Sequence, residues 1–520
     1  MVFCNIDLYG PNSMRYRFRW YDSIIGLLAI YLFAFQIQAI WPFTIDDMYI
    51  SLRYAKNWAS GYGLLWNVHA PPVEGYSNFS FVVLATFALL LKVDPVVVLK
   101  TAGVLGLFFT CYFLYLITRF WFDQRSSLLP CFALLFYKGQ IIWTVSGLET
   151  AVYQAFICSS VYFCFRGMGY QPYPMIREGS QNHAFILAGL FLTLAGLTRP
   201  ETPALMVLFF ILVCWDRPKD KTTLYWRGVF LLGLTIALLF IPYFSWRFFY
   251  FGYLFPNSVY CKGVTKAFSL SLDLNYLKLV WPFVVLALLA CIKVPDKRHY
   301  FLWLPSLIYL LMLTDADPIV AFDNRLFLPA FTLIIPLALQ GVNWLLSRYL
   351  HNNDGLYPLA LYVLFLVIVI IFIPRMSLPD YRYFSENPLK GERLRAEVVQ
   401  WLKTNIKPEV DVVLADSGMI PYYSNLNFID SYCLNNREMG HYSTKQRYEQ
   451  FCREVMQKKP EVIILTSLVE QGKVIYTPSD LCLKSALENQ DYYVLRHSFS
   501  TDDPNSTYRY ELFSHSISRL

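Results

Sequence analysis

Charge is what this chain has least of. Only 16% of its 520 residues are Asp, Glu, Lys or Arg, against 56% hydrophobic, and that balance excludes a soluble globular protein of this size. Its seven histidines and eleven cysteines show no C-x-x-C or Cys/His ligand spacing, which excludes a sequence-encoded zinc site. No solenoid or propeller period recurs, and there is no low-complexity tract. The net charge of +7 is modest and gathered in short loops, so it reports topology rather than nucleic-acid binding. No small-residue cleavage site accompanies Arg15, Arg17, Arg19 and the apolar segment Tyr21 to Trp41. The expectation is an uncleaved first helix with a cytoplasmic N-terminus.

What is present is apolar and aromatic. Aromatic residues make up 18% of the chain and the mean hydropathy is +0.39, as in a polytopic helical membrane protein with wide aromatic belts. Stretches long enough to cross a bilayer lie near 21–41, 96–118, 126–146, 149–166, 183–198, 201–215, 226–249, 276–292, 300–314, 326–346 and 356–374. Eleven spans are expected. The shorter run Phe79 to Leu91 is read as a juxtamembrane helix. That choice puts Arg119, Arg125, Arg348 and the cationic loops 217–221 and 293–298 on the side of the N-terminal arginines. It also puts Asp46, Asp47, Glu149, Arg199, Glu201, Asn257 and Arg325 together on the opposite face. After Pro374 the composition becomes mixed, with amphipathic patterns near 388–405 and 444–458 and short β-branched runs at 410–414, 462–465 and 492–495. Residues 376–520 are expected to form an extracytoplasmic α/β domain, and residues 1–375 the membrane module. Cys433, Cys452 and Cys482 fall in that domain, where one disulfide is possible; the other cysteines read as core thiols.

The segment from Asp46 to Asn78 reads DDMYISLRYAKNWASGYGLLWNVHAPPVEGYSN. It resembles the first extracytoplasmic loop of the GT-C membrane glycosyltransferases, and within them the bacterial terminal arabinofuranosyltransferase-like branch. Further matches recur in order: Ser146 to Thr150, Leu197 to Glu201, Trp246 to Asn257 with Tyr260 and Lys262, Arg325 with Leu328-Pro329, and Asp416-Ser417-Gly418 with Pro421 to Tyr423. Trp66, His69-Ala70-Pro71 and the stretch 315–323 depart from the pattern. The resemblance implies a GT-C fold with juxtamembrane helices in loop 42–95, and transfer of a sugar from a polyprenyl-phosphate donor.

A phosphate is a good leaving group, so one general base and cationic stabilisation of the departing oxygen suffice. Asp46 leads the acidic pair and occupies the position the resemblance assigns to the base. Asp47 orients the acceptor, holds a divalent cation or raises its neighbour's pKa; alternatively, one of the two acids caps the following helix. Glu74 binds the acceptor or, with Asp47, a hard cation such as Mg, Mn or Ca; a surface glutamate is the alternative. Arg199, Arg325 and Lys262 are candidate phosphate ligands, the arginines alternatively snorkelling to the interface. Glu149 and Glu201 position those cations or sugar hydroxyls. Tyr76, Asn78, Asn257 and Tyr260 complete the substrate-binding set. Arg53 holds the loop or contacts substrate. The Asp416 turn binds glycan or packs the domain onto the membrane part.

The expected activity is that of an inverting glycosyltransferase of the bacterial cytoplasmic membrane, its extracytoplasmic acceptor an envelope glycan, lipid or lipopolysaccharide. The competing reading is a transporter or flippase of lipid-linked sugars, which predicts inverted repeats and helices broken near the midplane.

Overall fold

The computed structural model describes residues 20–173, 179–216, 223–262, 270–314, 318–350, 356–442, 446–470, 473–501 and 508–515. The N-terminal arginines, the cationic loop 217–221, part of the stretch 315–323 and the side chain of Lys262 lie outside the described residues.

Every apolar stretch folds as helix, but not every one folds as a full span. By length and composition four helices among the described residues can cross a bilayer, within Pro95–Thr118, Thr223–Phe251, Ser271–Lys293 and Phe322–Leu346. Asn182–Thr198, Thr202–Trp215 and Tyr357–Phe372 are shorter. The stretch 126–146, expected as one span, is bent by 70° between Ser126–Phe136 and Lys138–Val145. The cause is local. Tyr137 is extended at φ −79° and ψ 116°, and the N–H released at Lys138 donates to the Pro374 carbonyl at 2.8 Å. The Lys138 ammonium then pairs with Asp380 at 2.7 Å and Asp323 at 3.7 Å.

Two short helices precede the second half of the bundle. Asp47–Ala59 packs on Phe79–Leu90, and Phe79–Leu90 packs on Pro95–Thr118, which starts at an Asp94 cap and Pro95. The helix ending at Thr198 stops because Arg199 precedes a proline and is extended, at φ −149° and ψ 139°. Thr202 then opens the next helix with Pro203 in its first turn.

The C-terminal domain begins with the helix Leu378–Asn405, held by a capping box between Ser377 and Asp380. Its strands are β1 (Asp411–Leu414), β2 (Asn427–Asp430), β3 (Val462–Glu470), β4 (Lys473–Tyr476), β5 (Tyr493–Ser500) and β6 (Tyr508–His515). They form one sheet in the order β2-β1-β3-β6-β5, with β4 paired to β3. The first three strands are parallel and β6 and β5 run antiparallel. Alternation separates two cores. Val412, Leu414, Val462 and Ile464 pack with Leu394, Val398 and Leu402 of the long helix. On the other face Val413, Ile463 and Leu465 pack with Phe451 and Val455 of Arg447–Lys458 and with Leu483 of Pro478–Glu488.

Among the described residues there are two disulfides rather than one. Cys452 pairs with Cys482 inside the domain, while Cys433 pairs with Cys261 of the short helix Asn257–Lys262 in the membrane module, 172 residues away. Cys261 is therefore not a core thiol.

Candidate active site

One cavity of about 170 Å³ opens where the outer ends of the helices meet the C-terminal domain. Its polar lining includes Asp47, Ser51, Tyr76, Asn78, Glu149, Arg199, Glu201, Ser258 and Arg325. Seven of these were expected from the sequence, from segments spread between residues 47 and 325.

Glu149 is the hub. It caps the helix Thr150–Gly167 by position, and the preceding Gly147 turns at φ +84° against the Met48 side chain, a conformation open to glycine. Its Oε1 accepts from Arg199 at 2.9 Å and from Arg325 at 2.8 Å, and its Oε2 accepts from Asn78 Nδ2 at 3.0 Å. Asn78 Oδ1 in turn accepts from Ser51 Oγ at 2.8 Å. Arg199 also forks onto Glu201, through Nε at 3.1 Å and Nη2 at 2.6 Å. Arg325 donates its Nε to Thr150 Oγ1 at 3.3 Å and lies over the Trp143 ring at 5.1 Å. Of the five N–H groups of a guanidinium, these bonds among the described residues use three on Arg199 and two on Arg325. The remaining donors suit an anion entering the cavity, above all at Arg325.

Asp47 faces this cavity; Asp46 does not. Neighbours on a helix point about 100° apart, and Asp46 turns to the C-terminal domain. Its Oδ1 accepts the Met419 N–H at 2.9 Å and lies 3.2 Å from Arg395 Nε, which also reaches Asp416 Oδ2 at 2.9 Å. Burial and the neighbouring Asp416 push the Asp46 carboxyl well above the usual carboxylate range. Against the burial that would raise it, Asp416 is held low by Arg395 and by bonds from Asp46 and Tyr510. Asp46 makes no capping bond with its own helix.

Other expected substrate ligands lie outside the cavity lining and have protein partners. Glu74 is buried on Arg247, with Nε to Oε1 at 2.9 Å and Nη2 to Oε2 at 2.7 Å; burial pushes its carboxyl up to about 7 while Arg247 pulls it down. Arg53 donates to the carbonyls of Trp66 at 2.8 Å, Leu426 at 2.7 Å and Pro421, and to Asn67 Oδ1 at 2.9 Å. Asn257 Nδ2 reaches the carbonyls of Cys433, Leu434 and Asn436 at 2.9, 3.0 and 3.0 Å. Tyr260 lies 4.7 Å from the His441 ring. Arg53, Asn257 and Tyr260 thus meet late segments of the chain, which no local spacing foretells.

The donors for a hard cation are not assembled. Among the described residues no three His, Cys, Asp or Glu side chains converge, and of the expected pair only Asp47 reaches the cavity. Ser51, Ser258 and Leu434 line the cavity and were not expected to. Ser51 lies inside the matched motif and Ser258 directly after Asn257, but nothing local marks Leu434.

A family model described as a domain of unknown function (DUF8728) matches residues 382–513. No curated protein matches. Among solved structures, the chain is similar to ArnT from Cupriavidus metallidurans bound to undecaprenyl phosphate, at 13% identity and a TM-score of 0.57, covering 96% of this chain and 99% of that one. The oligosaccharyltransferase of Archaeoglobus fulgidus aligns at 11% identity and a TM-score of 0.58, covering 92% and 80%. The arabinofuranosyltransferase AftD from Mycobacteria aligns at 12% and 0.52, covering 94% of this chain and 41% of that longer one. These neighbours are GT-C glycosyltransferases. The chain has their fold, with several apolar helices followed by a C-terminal sheet.

Proposed function

We propose that the protein is an inverting glycosyltransferase that takes a pentose or hexose from a polyprenyl-phosphate donor. One observation carries the reading: a carboxylate, Asp47, and two guanidiniums, Arg199 and Arg325, line the same small cavity. Asp47 removes the proton from an acceptor hydroxyl as its oxygen attacks the anomeric carbon. The bond from that carbon to the phosphate oxygen breaks, and the free N–H groups of Arg325 and Arg199 take up the charge developing on the phosphate. A single displacement inverts the anomeric centre. The acceptor is a glycan, lipid or lipopolysaccharide of the cell envelope. Eleven helices in the bacterial cytoplasmic membrane would place the cavity and the C-terminal domain on the extracytoplasmic face. Named neighbours of the same fold, one of them bound to undecaprenyl phosphate, support the donor class, and the gathering of the charged motifs at one end of the bundle supports an enzyme over a transporter.

The test is transfer by the purified protein from a panel of polyprenyl-phosphate sugars, with the anomeric configuration of the product read by NMR. Product of retained configuration overturns the single displacement. Movement of intact lipid-linked sugar across liposomes without transfer overturns the enzyme. Arg325→Gln, which removes the guanidinium with most free donors, is expected to weaken polyprenyl-phosphate binding by about 10- to 100-fold, the range of about 1.5–3 kcal/mol for bonds to charged groups. Titration of the non-transferable lipid phosphate checks it.

A further inference from the structure

The C-terminal domain has no assigned role, and its contacts are not spread evenly over the membrane module. Apart from contacts such as those of Arg53, Asn67 and Lys138, two grips hold segments that border the cavity. The first takes hold of Phe43, Thr44 and Asp46, just before Asp47. Phe384 meets the Phe43 ring edge-on at 5.1 Å, Glu392 accepts from Thr44 Oγ1, and Arg395 reaches Asp46, all three from the helix Leu378–Asn405. From the turn after β1, Met419 donates to the Asp46 carboxylate and Asp416 shares Arg395 with it. Gly418 closes against this same residue: a Cβ built there would overlap both the carboxylate and the backbone carbonyl of Asp46.

The second grip is the loop after β2. Asp430 shapes it by accepting from the N–H groups of Tyr432 and Asn435, each at 2.7 Å. Asn435 then fills the space beside Gly75 and accepts from Tyr54 OH at 3.1 Å. Asn257 bonds the loop's carbonyls, and Cys433 is bonded to Cys261. Leu434, between these anchors, forms part of the cavity wall beside Tyr76 and Ser258.

We propose that the C-terminal domain is a positioning clamp for the reaction: it sets where the Asp47 carboxylate stands relative to the opposite wall, with Arg395 and Gly418 as positioning residues. This rests on the glycosyltransferase reading for its kinetic consequence but not for the clamp itself. The domain bonds the Asp46 carboxylate directly and packs Gly418 against the carbonyl of the same residue, and Asp47 is the next residue along a rigid helix. A shift of about 1 Å in a reacting group costs on the order of 100-fold in rate.

Gly418→Ala is the direct test, since at φ −97° an alanine is not excluded by a left-handed backbone and the three atoms nearest its methyl group all belong to Asp46. It is made in the full chain beside Glu392→Ala, which removes the Thr44 contact at the surface and guards against misfolding of the first variant. Two readouts are taken. Hydrogen exchange of residues 43–59 is expected to rise at least tenfold in both variants while β1 and β3 keep their protection. In transfer assays kcat is expected to fall about 10- to 100-fold for Gly418→Ala, with the donor KM within twofold of the parent. Unchanged exchange in both variants overturns the clamp whether or not the parent protein transfers sugar. Raised exchange with parental kcat overturns positioning. A parent protein inactive with every donor counts against the glycosyltransferase reading and leaves the exchange result to decide the clamp.

Discussion

Asp47→Asn lowers kcat by about 10²- to 10⁴-fold, the span expected for loss of a general base, while Asp46→Asn lowers it less than about tenfold. The asymmetry follows from where the two carboxylates go. Asparagine at 47 keeps the volume but cannot take a proton from an acceptor hydroxyl in the cavity. Asparagine at 46 keeps an oxygen for the Met419 N–H and for Arg395, and the carboxyl it replaces is already pushed toward its neutral form by burial and by Asp416. Single-turnover transfer with each variant at saturating donor separates the two. The reverse order of effects would return the base to Asp46 and remove Asp47 from the chemistry.

Glu149→Gln destabilises the protein by about 3–5 kcal/mol, the range for breaking a buried ion pair by removing one partner. Glu149 is 1% exposed and Arg199 8%, and Arg325 keeps 12% of its side chain exposed, so little water replaces the lost countercharge, although Arg199 retains Glu201. Glutamine retains an acceptor for one guanidinium and loses the charge that balances two. Chemical unfolding in micelles of the parent and variant measures the difference. A loss below about 1 kcal/mol would be that of an exposed pair and would mean the cavity is wet enough to screen the arginines. The double variant Glu149→Gln with Arg325→Met should recover part of the loss, because one stranded cation is removed with the anion.

Much of this site was legible because its residues sit at helix ends in local motifs. Glu149, Arg199 with Glu201, and Arg325 each lie where an apolar run stops, and a charged group at such a place is conspicuous in a chain so poor in charge. Choosing between Asp46 and Asp47 was not possible by the same means. The choice depends on Arg395, Asp416 and Gly418, more than 300 residues downstream by numbering, and a helix start alone fits either acid. The surroundings of Asn257 and Tyr260 were illegible for the same reason: their partners are Cys433, Leu434, Asn436 and His441. In the C-terminal domain the buried runs of β1 and β3 were readable as strands. β2 reads Asn427-Phe428-Ile429-Asp430, with polar ends, and β6 alternates polar with apolar positions, so neither reads as a continuous β-branched run.

The Cys261–Cys433 bond spans 172 residues of sequence and so turns the middle of the polypeptide into a covalent ring. Inside that ring lie the helices Ser271–Lys293, Tyr300–Met312, Leu328–Leu346 and Tyr357–Phe372 and the start of the C-terminal domain. A protease that cuts once between residues 347 and 356 therefore yields two fragments that stay joined on a non-reducing gel and separate only after thiol treatment. The domain that grips the cavity is thus tethered at two points, by the peptide chain and by sulfur, and severing either one leaves it attached.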